Sequence, residues 1–223
     1  MSELLIRRPL LVKAGSDPID NYVTSGLVLW LDGIKNTRSG HNASSTKWED
    51  LSGNGYDCTY NASSTVDALY CVPNAGLTLA KNLTIPSTCT IEIVLKSIPN
   101  SSVNQMVAAQ GDNQRTVWIN KSGNVVFGAS TAKVFAYADL PAEVNTVVNS
   151  GYLNGAAYTV GSSSASWNTA YKSRLFAYSS NTTNKTTSRI YAIRVYDREL
   201  SASEILQNYN ADKVRFNSGV VSS

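Results

Sequence analysis

The run at residues 189–210, RIYAIRVYDRELSASEILQNYN, constrains the fold more than any other part of this chain. Its first half alternates with period two and predicts a β-strand. Tyr191, Ile193 and Val195 fall on one face, with Arg194 and Tyr196 on the other. Its second half carries helix-start signals. Ser201 stands three residues before Glu204, the spacing of a capping box. There the serine hydroxyl accepts from the Glu204 N–H and the Glu204 carboxylate accepts from the Ser201 N–H. Leu200 and Ile205 take the two positions of a hydrophobic staple. Ile205, Leu206 and Tyr209 form an apolar stripe, so the helix is expected to pack on a sheet and to end near Asn210. Nothing in this run is chemistry; it is architecture.

The rest of the chain reads as short strands. Residues 26–31, GLVLWL, make a continuous apolar strand ended by Asp32-Gly33. In WEDLSGNGYDCTY, the triplet Gly53-Asn54-Gly55 demands a tight turn with positive φ. Further strands are expected at 77–85, 89–96, 103–109, 115–119 and 125–128, with residues 121–124 closing a hairpin. A strand at 144–153 meets Asn154-Gly155, the strongest short hairpin signal, and 156–160 returns. Residues 172–178 precede the final strand and helix. No internal repeat is evident. About a dozen short strands with one late helix indicate an antiparallel sandwich.

Residues 1–25 differ from the remainder. An apolar–basic segment, LLIRRPLLVK, leads into the Gly/Pro/Asp-rich AGSDPIDNY, so an arm or linker at 1–25 precedes a domain at 26–213 and a polar tail at 214–223. Composition narrows the function classes. The formal charge of +3 is small, and Arg7, Arg8 and Lys13 have no interleaved aromatics for base stacking, so nucleic acid is not an expected partner. Twelve tyrosines against four phenylalanines suit strands joined by polar turns. Cys58, Cys71 and Cys89 form no C-x-x-C pair, and an odd count is no disulfide framework. They read as buried free thiols, with a Cys58–Cys71 bridge as the alternative. No secretory signal or membrane span is visible, so the expected site of synthesis is a cytoplasm.

GLVLWLDG, WEDLSGNGYD, CTIEIVLK, GYLNGAAYT and RIYAIRVYDRELSASEI occur in the order and spacing of the laminin-G-like, concanavalin A-like jelly-roll domains. The resemblance covers roughly residues 26–212. It implies an all-β fold of two packed antiparallel sheets, often with a carbohydrate or protein ligand at a loop edge or concave face. Some members of this family bind Ca²⁺ and some are glycosidases or lyases; fold alone decides none of this. The arm joined to such a domain resembles structural proteins of bacteriophages and prophages from gut bacteria.

Candidate site residues follow from the chemistry each activity requires. A retaining glycosidase needs two carboxyl groups about 5 Å apart on one face. The strand TIEIVLK offers Glu92, but Val94 and Lys96 stand where its partners belong. Glu49 and Asp50 would point to opposite faces of an extended segment. His41, the only histidine, lies in a Gly/Asn/Ser loop with no nucleophile elbow. The expectation is therefore that the chain is not an enzyme. A Ca²⁺ site would draw on Asp32 and Asp57, which serve equally well as turn residues. Sugar binding asks for an aromatic face beside short planar hydrogen-bonders. Trp167 and Tyr171 with Asn168 supply the first, and Asn181, Asn184 and Lys185 the second, although Trp167 could equally pack inward. Trp30 and Trp118 are assigned to the core, and Trp48 beneath its turn.

The resulting expectation is a non-enzymatic accessory protein of a phage virion, present in many copies. Residues 1–25 would attach it to other virion proteins, and the sandwich would hold host-cell or mucosal glycans. The alternatives are a capsid or tail cement protein without a glycan ligand, or a bacterial carbohydrate-binding adhesion module.

Overall fold

A computed structural model of the chain describes residues 18–74, 76–83, 89–96, 105–110, 114–119, 125–127, 145–148, 152–153, 155–157, 172–175 and 187–218. A 3-10 turn (Pro18–Asn21) leads into β1 (Leu27–Asp32). Four two-residue strands follow: β2 (Lys47–Trp48), β3 (Cys58–Thr59), β4 (Thr65–Val66) and β5 (Cys71–Val72). Next come β6 (Leu77–Leu83), β7 (Thr90–Lys96), β8 (Gln105–Gln110), β9 (Gln114–Ile119) and β10 (Val125–Phe127). After β11 (Asn145–Val148), β12 (Tyr152–Leu153), β13 (Ala156–Ala157) and β14 (Lys172–Leu175), β15 (Arg189–Tyr196) feeds the helix α1 (Ala202–Ser218).

The strands form two antiparallel sheets, so the fold is an all-β sandwich with one C-terminal helix. One sheet runs β13-β12-β11-β7-β15-β5-β4, with β1 also paired to β15. The other runs β10-β9-β8-β14-β6-β3-β2. Period-two side chains fill the space between them. Leu29 and Leu31 of β1, Ile91, Ile93 and Leu95 of β7, and Ile193 and Val195 of β15 meet Leu77, Leu79 and Leu83 of β6 and Leu175 of β14. Cys58, Cys71 and Cys89 are free and buried in this same layer, where they act as small apolar groups.

Helix α1 covers the other face of the first sheet, and its N-terminus is built as the sequence predicts. The Ser201 N–H donates to Glu204 Oε2 at 2.8 Å and the Glu204 N–H to Ser201 Oγ at 3.3 Å. Leu200 and Ile205 are both buried, together with Val23 and Tyr196. Arg198 adds a two-pronged contact to Glu204, at 2.6 and 3.0 Å. These bonds, first from Arg198 and then from the Ser201 backbone, hold the Glu204 carboxyl down to about 2.

Four expectations are corrected by the packing. The pairing of β15 with β7 shifts register between Ile190 and Ala192. This bulge turns Tyr191 away from Ile193 and onto the helix side, where it packs with Val94, Ala192 and Phe216. Helix α1 does not end near Asn210 but continues to Ser218. Its buried positions are Ile205, Asn208, Ala211, Asp212, Arg215 and Phe216, whereas Leu206 is 45% exposed. The inward stripe is half polar, which is why an apolar count stops short. Where one strand was expected over 144–153, β11 and β12 are separate strands, because Val148 pairs back onto Tyr152. Finally, the folded unit extends past residues 26–213: Tyr22, Val23 and Phe216 are all buried. The expected hairpins stand, with Leu153 opposite Ala156 across Asn154-Gly155 and Ile119 opposite Val125. Gly155 has φ +73°.

Candidate functional site

Between α1 and the sheet lies a buried ionic cluster. The register Trp30–Arg194–Glu92 across β1, β15 and β7 sets three large side chains in one row on the helix-facing side. Arg194 donates through Nε to Glu92 Oε2 at 2.7 Å, and through Nη1 and Nη2 to both oxygens of Asp212 at 2.9 and 2.6 Å. All three side chains are fully buried. Tyr22 donates its hydroxyl to Asp212 at 2.7 Å and lies under the Arg194 guanidinium, 4.5 Å from ring centroid to charge. Asn208 donates to Glu92 Oε2 and lies 3.0 Å from the Tyr196 hydroxyl, which donates to the Val23 carbonyl. Its own carbonyl accepts from the Val23 N–H at 2.8 Å. Arg215 completes the layer by pairing with Asp32.

Burial raises the carboxyls of Glu92 and Asp212, and Arg194 offsets part of that rise in each. For Arg194, burial works against the charge, but Asp212 and Glu92 outweigh it and hold the guanidinium ionised. The arrangement welds residues 20–23, three strands and α1 together. Glu92 is fully buried within it, held by Arg194 and by Asn208 of the helix.

The W-x-D-L-S-G-N-G segment is equally structural. Asp50 is fully buried and accepts from the backbone N–H groups of Trp30, Ser52 and Tyr56 at 2.9–3.0 Å. Asn54 donates to the carbonyls of Leu27 and Val28, and Gly53 and Gly55 take φ +86° and +75°. Trp48 is buried beneath this turn, with Nε1 donating to the Asp32 carbonyl at 2.7 Å. Asp50 thus serves as the hub of the loop, a role that no periodicity announces.

The sequence-predicted site residues separate into two groups. Trp167, Asn168, Tyr171, Asn181, Asn184 and Lys185 lie outside the described residues, as does the side chain of Trp118. Asp32 and Asp57 are placed, and each is committed to a cation of the protein: Asp32 to Arg215, and Asp57 to Arg38 while also accepting from the Asp50 N–H. Among the described residues, no group of three or more His, Cys, Asp or Glu side chains is arranged to hold a metal. His41 is exposed, its Nδ1 3.3 Å from the Gly33 carbonyl oxygen. Glu49 accepts from the Arg38 N–H while Asp50 turns inward, so the two acids do diverge. Trp30 is buried as expected, but against Tyr22 and Ala211 on the helix side of the sheet.

A groove of about 290 Å³ opens at the surface between residues 43–46 and 60–66. Ser44, Thr46, Tyr60 and Ser64 are among its lining residues, and none of the lining side chains is charged.

No family model matches the chain, and no curated protein does. Solved structures match on fold. A Trypanosoma rangeli sialidase in complex with sialic acid aligns with TM-score 0.55 at 13% identity, over 86% of this chain and 33% of that one. The same sialidase with the inhibitor DANA aligns with TM-score 0.54 at 15% identity, over 90% and 34%. An HCR/D mutant aligns with TM-score 0.51 at 14% identity, over 85% and 53%. The chain thus spans about a third of the sialidase and about half of the HCR/D protein.

Proposed function

We propose that this chain is a non-enzymatic, lectin-like accessory protein of a bacteriophage particle, whose sandwich holds host or mucosal glycans. The observation that carries this reading is the contrast between its acids and its groove. Described carboxylates beneath the helix and around the Asp50 loop are tied to arginines or backbone amides, whereas the groove is uncharged and lined by hydroxyls. Such a surface can hold a neutral polyol without supplying the acid and base that cleave one. The laminin-G-like segments and the sandwich shared with a sialidase captured with sialic acid support the carbohydrate part. The apolar–basic arm supports the virion part, with attachment to other virion proteins through it and assembly in the host cytoplasm. Many copies on one particle would strengthen weak single-site binding.

Two experiments test this reading. The full chain, displayed multivalently on a glycan and polysaccharide array, is expected to bind; silence would leave the role of structural cement. Repeating the array with Ca²⁺ and with chelator tests Asp32 and Asp57 as ligands, and binding is expected to be indifferent. For the arm, deletion of residues 1–17 spares the buried Tyr22 and should yield a folded protein that is missing from particles. Normal incorporation would defeat the attachment claim.

A further inference from the structure

The pentapeptide Asn-Ala-Ser-Ser-Thr occurs twice, at 42–46 and 61–65, a repeat too short to be seen as domain duplication. The two copies fold alike. In the first, Asn42 Oδ1 accepts from the Ser44 N–H at 2.9 Å and the Asn42 carbonyl from the Ser45 N–H at 3.1 Å. In the second, Asn61 Oδ1 accepts from the Ser63 N–H at 2.9 Å and the Asn61 carbonyl from the Ser64 N–H at 3.0 Å. Each is an Asx-turn inside a β-turn. The Tyr60 N–H donates to the Thr46 carbonyl at 3.0 Å, and Lys47 pairs with Thr59, so the turns stand side by side with the groove between them.

Both turns are braced from outside the groove. Asn36 exchanges two hydrogen bonds with the Asn42 backbone, at 2.7 and 2.8 Å. Asn61 Nδ2 donates to the Pro73 and Gly76 carbonyls. The Tyr60 ring is stacked on the buried Trp48 at 6.2 Å and 26°. These bonds brace the turns that contribute Ala43, Ser44, Thr46, Tyr60 and Ala62 to the lining of the groove.

From this geometry we infer that the groove between the twin turns is a binding site for a single neutral sugar residue. The inference rests on the glycan-binding reading above and gives it a place. A pyranose presents C–H faces, which suit the two methyls and the aromatic ring, and hydroxyl edges, which suit serine and threonine hydroxyls able to donate and accept. A space of about 290 Å³ is at the small end of ligand sites, room for one ring rather than an extended chain. With no cation among its lining residues, the groove gives a carboxylate no charged partner to offset its desolvation, so a sialylated residue should be discriminated against.

The test uses the full chain with the methyl glycosides of glucose, galactose, N-acetylglucosamine and sialic acid, read by saturation-transfer NMR and by the multivalent array. Ala62→Phe and Ala43→Phe each fill the groove from an exposed turn position and keep every turn hydrogen bond; thermal unfolding identifies a variant that has folded. Trp167→Ala is the comparison. The expected result is binding of at least one neutral glycoside, weakened at least tenfold by either phenylalanine and unchanged by Trp167→Ala. Undiminished binding in a folded phenylalanine variant, or loss in Trp167→Ala alone, would overturn the site and leave the glycan reading standing. Sialoside binding equal to the neutral sugars would overturn the specificity. Silence of the wild-type chain on every sugar in multivalent form would overturn the site and the function together.

Discussion

The two faces of β1, β7 and β15 are built from opposite materials. The face toward the second sheet carries Leu29, Leu31, Ile91, Ile93, Leu95, Ile193 and Val195, with no charge among them. The face toward α1 carries Trp30, Asp32, Glu92, Arg194 and Tyr196, closed over by Asn208, Asp212 and Arg215 of the helix. Both faces are equally dry, but the forces on them differ. The apolar side is non-directional and tolerates any filling of the right volume. The ionic side fixes the geometry, because a guanidinium satisfied on two edges accepts only one placement of the helix and of residues 20–23. One sheet thus uses its inner face for cohesion and its outer face for register.

Breaking the ionic face should have the largest effect. Arg194→Ala strands Glu92 and Asp212 without their cation, a loss of about 3–5 kcal/mol. Ile193→Ala, its neighbour on the other face, should cost about 2–5 kcal/mol by cavity formation. Acid separates the two. Stranded carboxyls have folded-state affinities for protons above their unfolded ones, so the Arg194→Ala variant should regain stability from pH 7 to pH 5. The Ile193→Ala deficit should stay constant; parallel pH–denaturation curves would refute the contrast.

Tyr22→Phe removes the hydroxyl donated to Asp212 but keeps the ring under Arg194, and should cost about 1.5–3 kcal/mol in urea unfolding. Ser201→Ala, at the exposed capping box, should cost about 1 kcal/mol. Glu204, held down to about 2, adds a pH signature. A depressed carboxyl stabilises the fold above its unfolded value and loses that contribution as the pH falls towards 2, so an acid titration of Glu204→Gln should lack this step. The smallest effect is expected from Glu92→Gln. Glu92 Oε2 takes both hydrogen bonds and Oε1 takes none, so the amide keeps the Arg194 and Asn208 contacts. It also removes one negative charge from a cluster of three carboxylates and two guanidiniums. Stability should change by less than about 1 kcal/mol at pH 7.

What the residues announce follows their range of interaction. The capping box, the staple, the Asn154-Gly155 hairpin and the glycine turn at 53–55 are governed by neighbours a few positions away, and each is found where the spacing puts it. The bulge at Tyr191, the length of α1 and the ionic cluster were hidden, because a buried Arg, Asp or Asn looks identical in sequence to an exposed one. Asn208, Asp212 and Arg215 recur at helical spacing, and a polar stripe in phase with Ile205 is the signal that would have found them. The groove was hidden differently. Its five-residue repeat does not stand out in an Asn-, Ser- and Thr-rich chain, and the side-by-side placement of the two turns depends on the pairing of β2 with β3.

By itself the sequence determined the class of fold: period-two apolar runs, polar turns and one capped helix admit little besides an antiparallel sandwich, since local sterics and burial both demand it. Only the tertiary structure decided what the acids do. Whether Asp32, Glu92 and Asp212 face water, a ligand or an arginine depends on which distant cations the folded chain brings to them, and partners 18 to 183 residues away are set by packing, not by spacing.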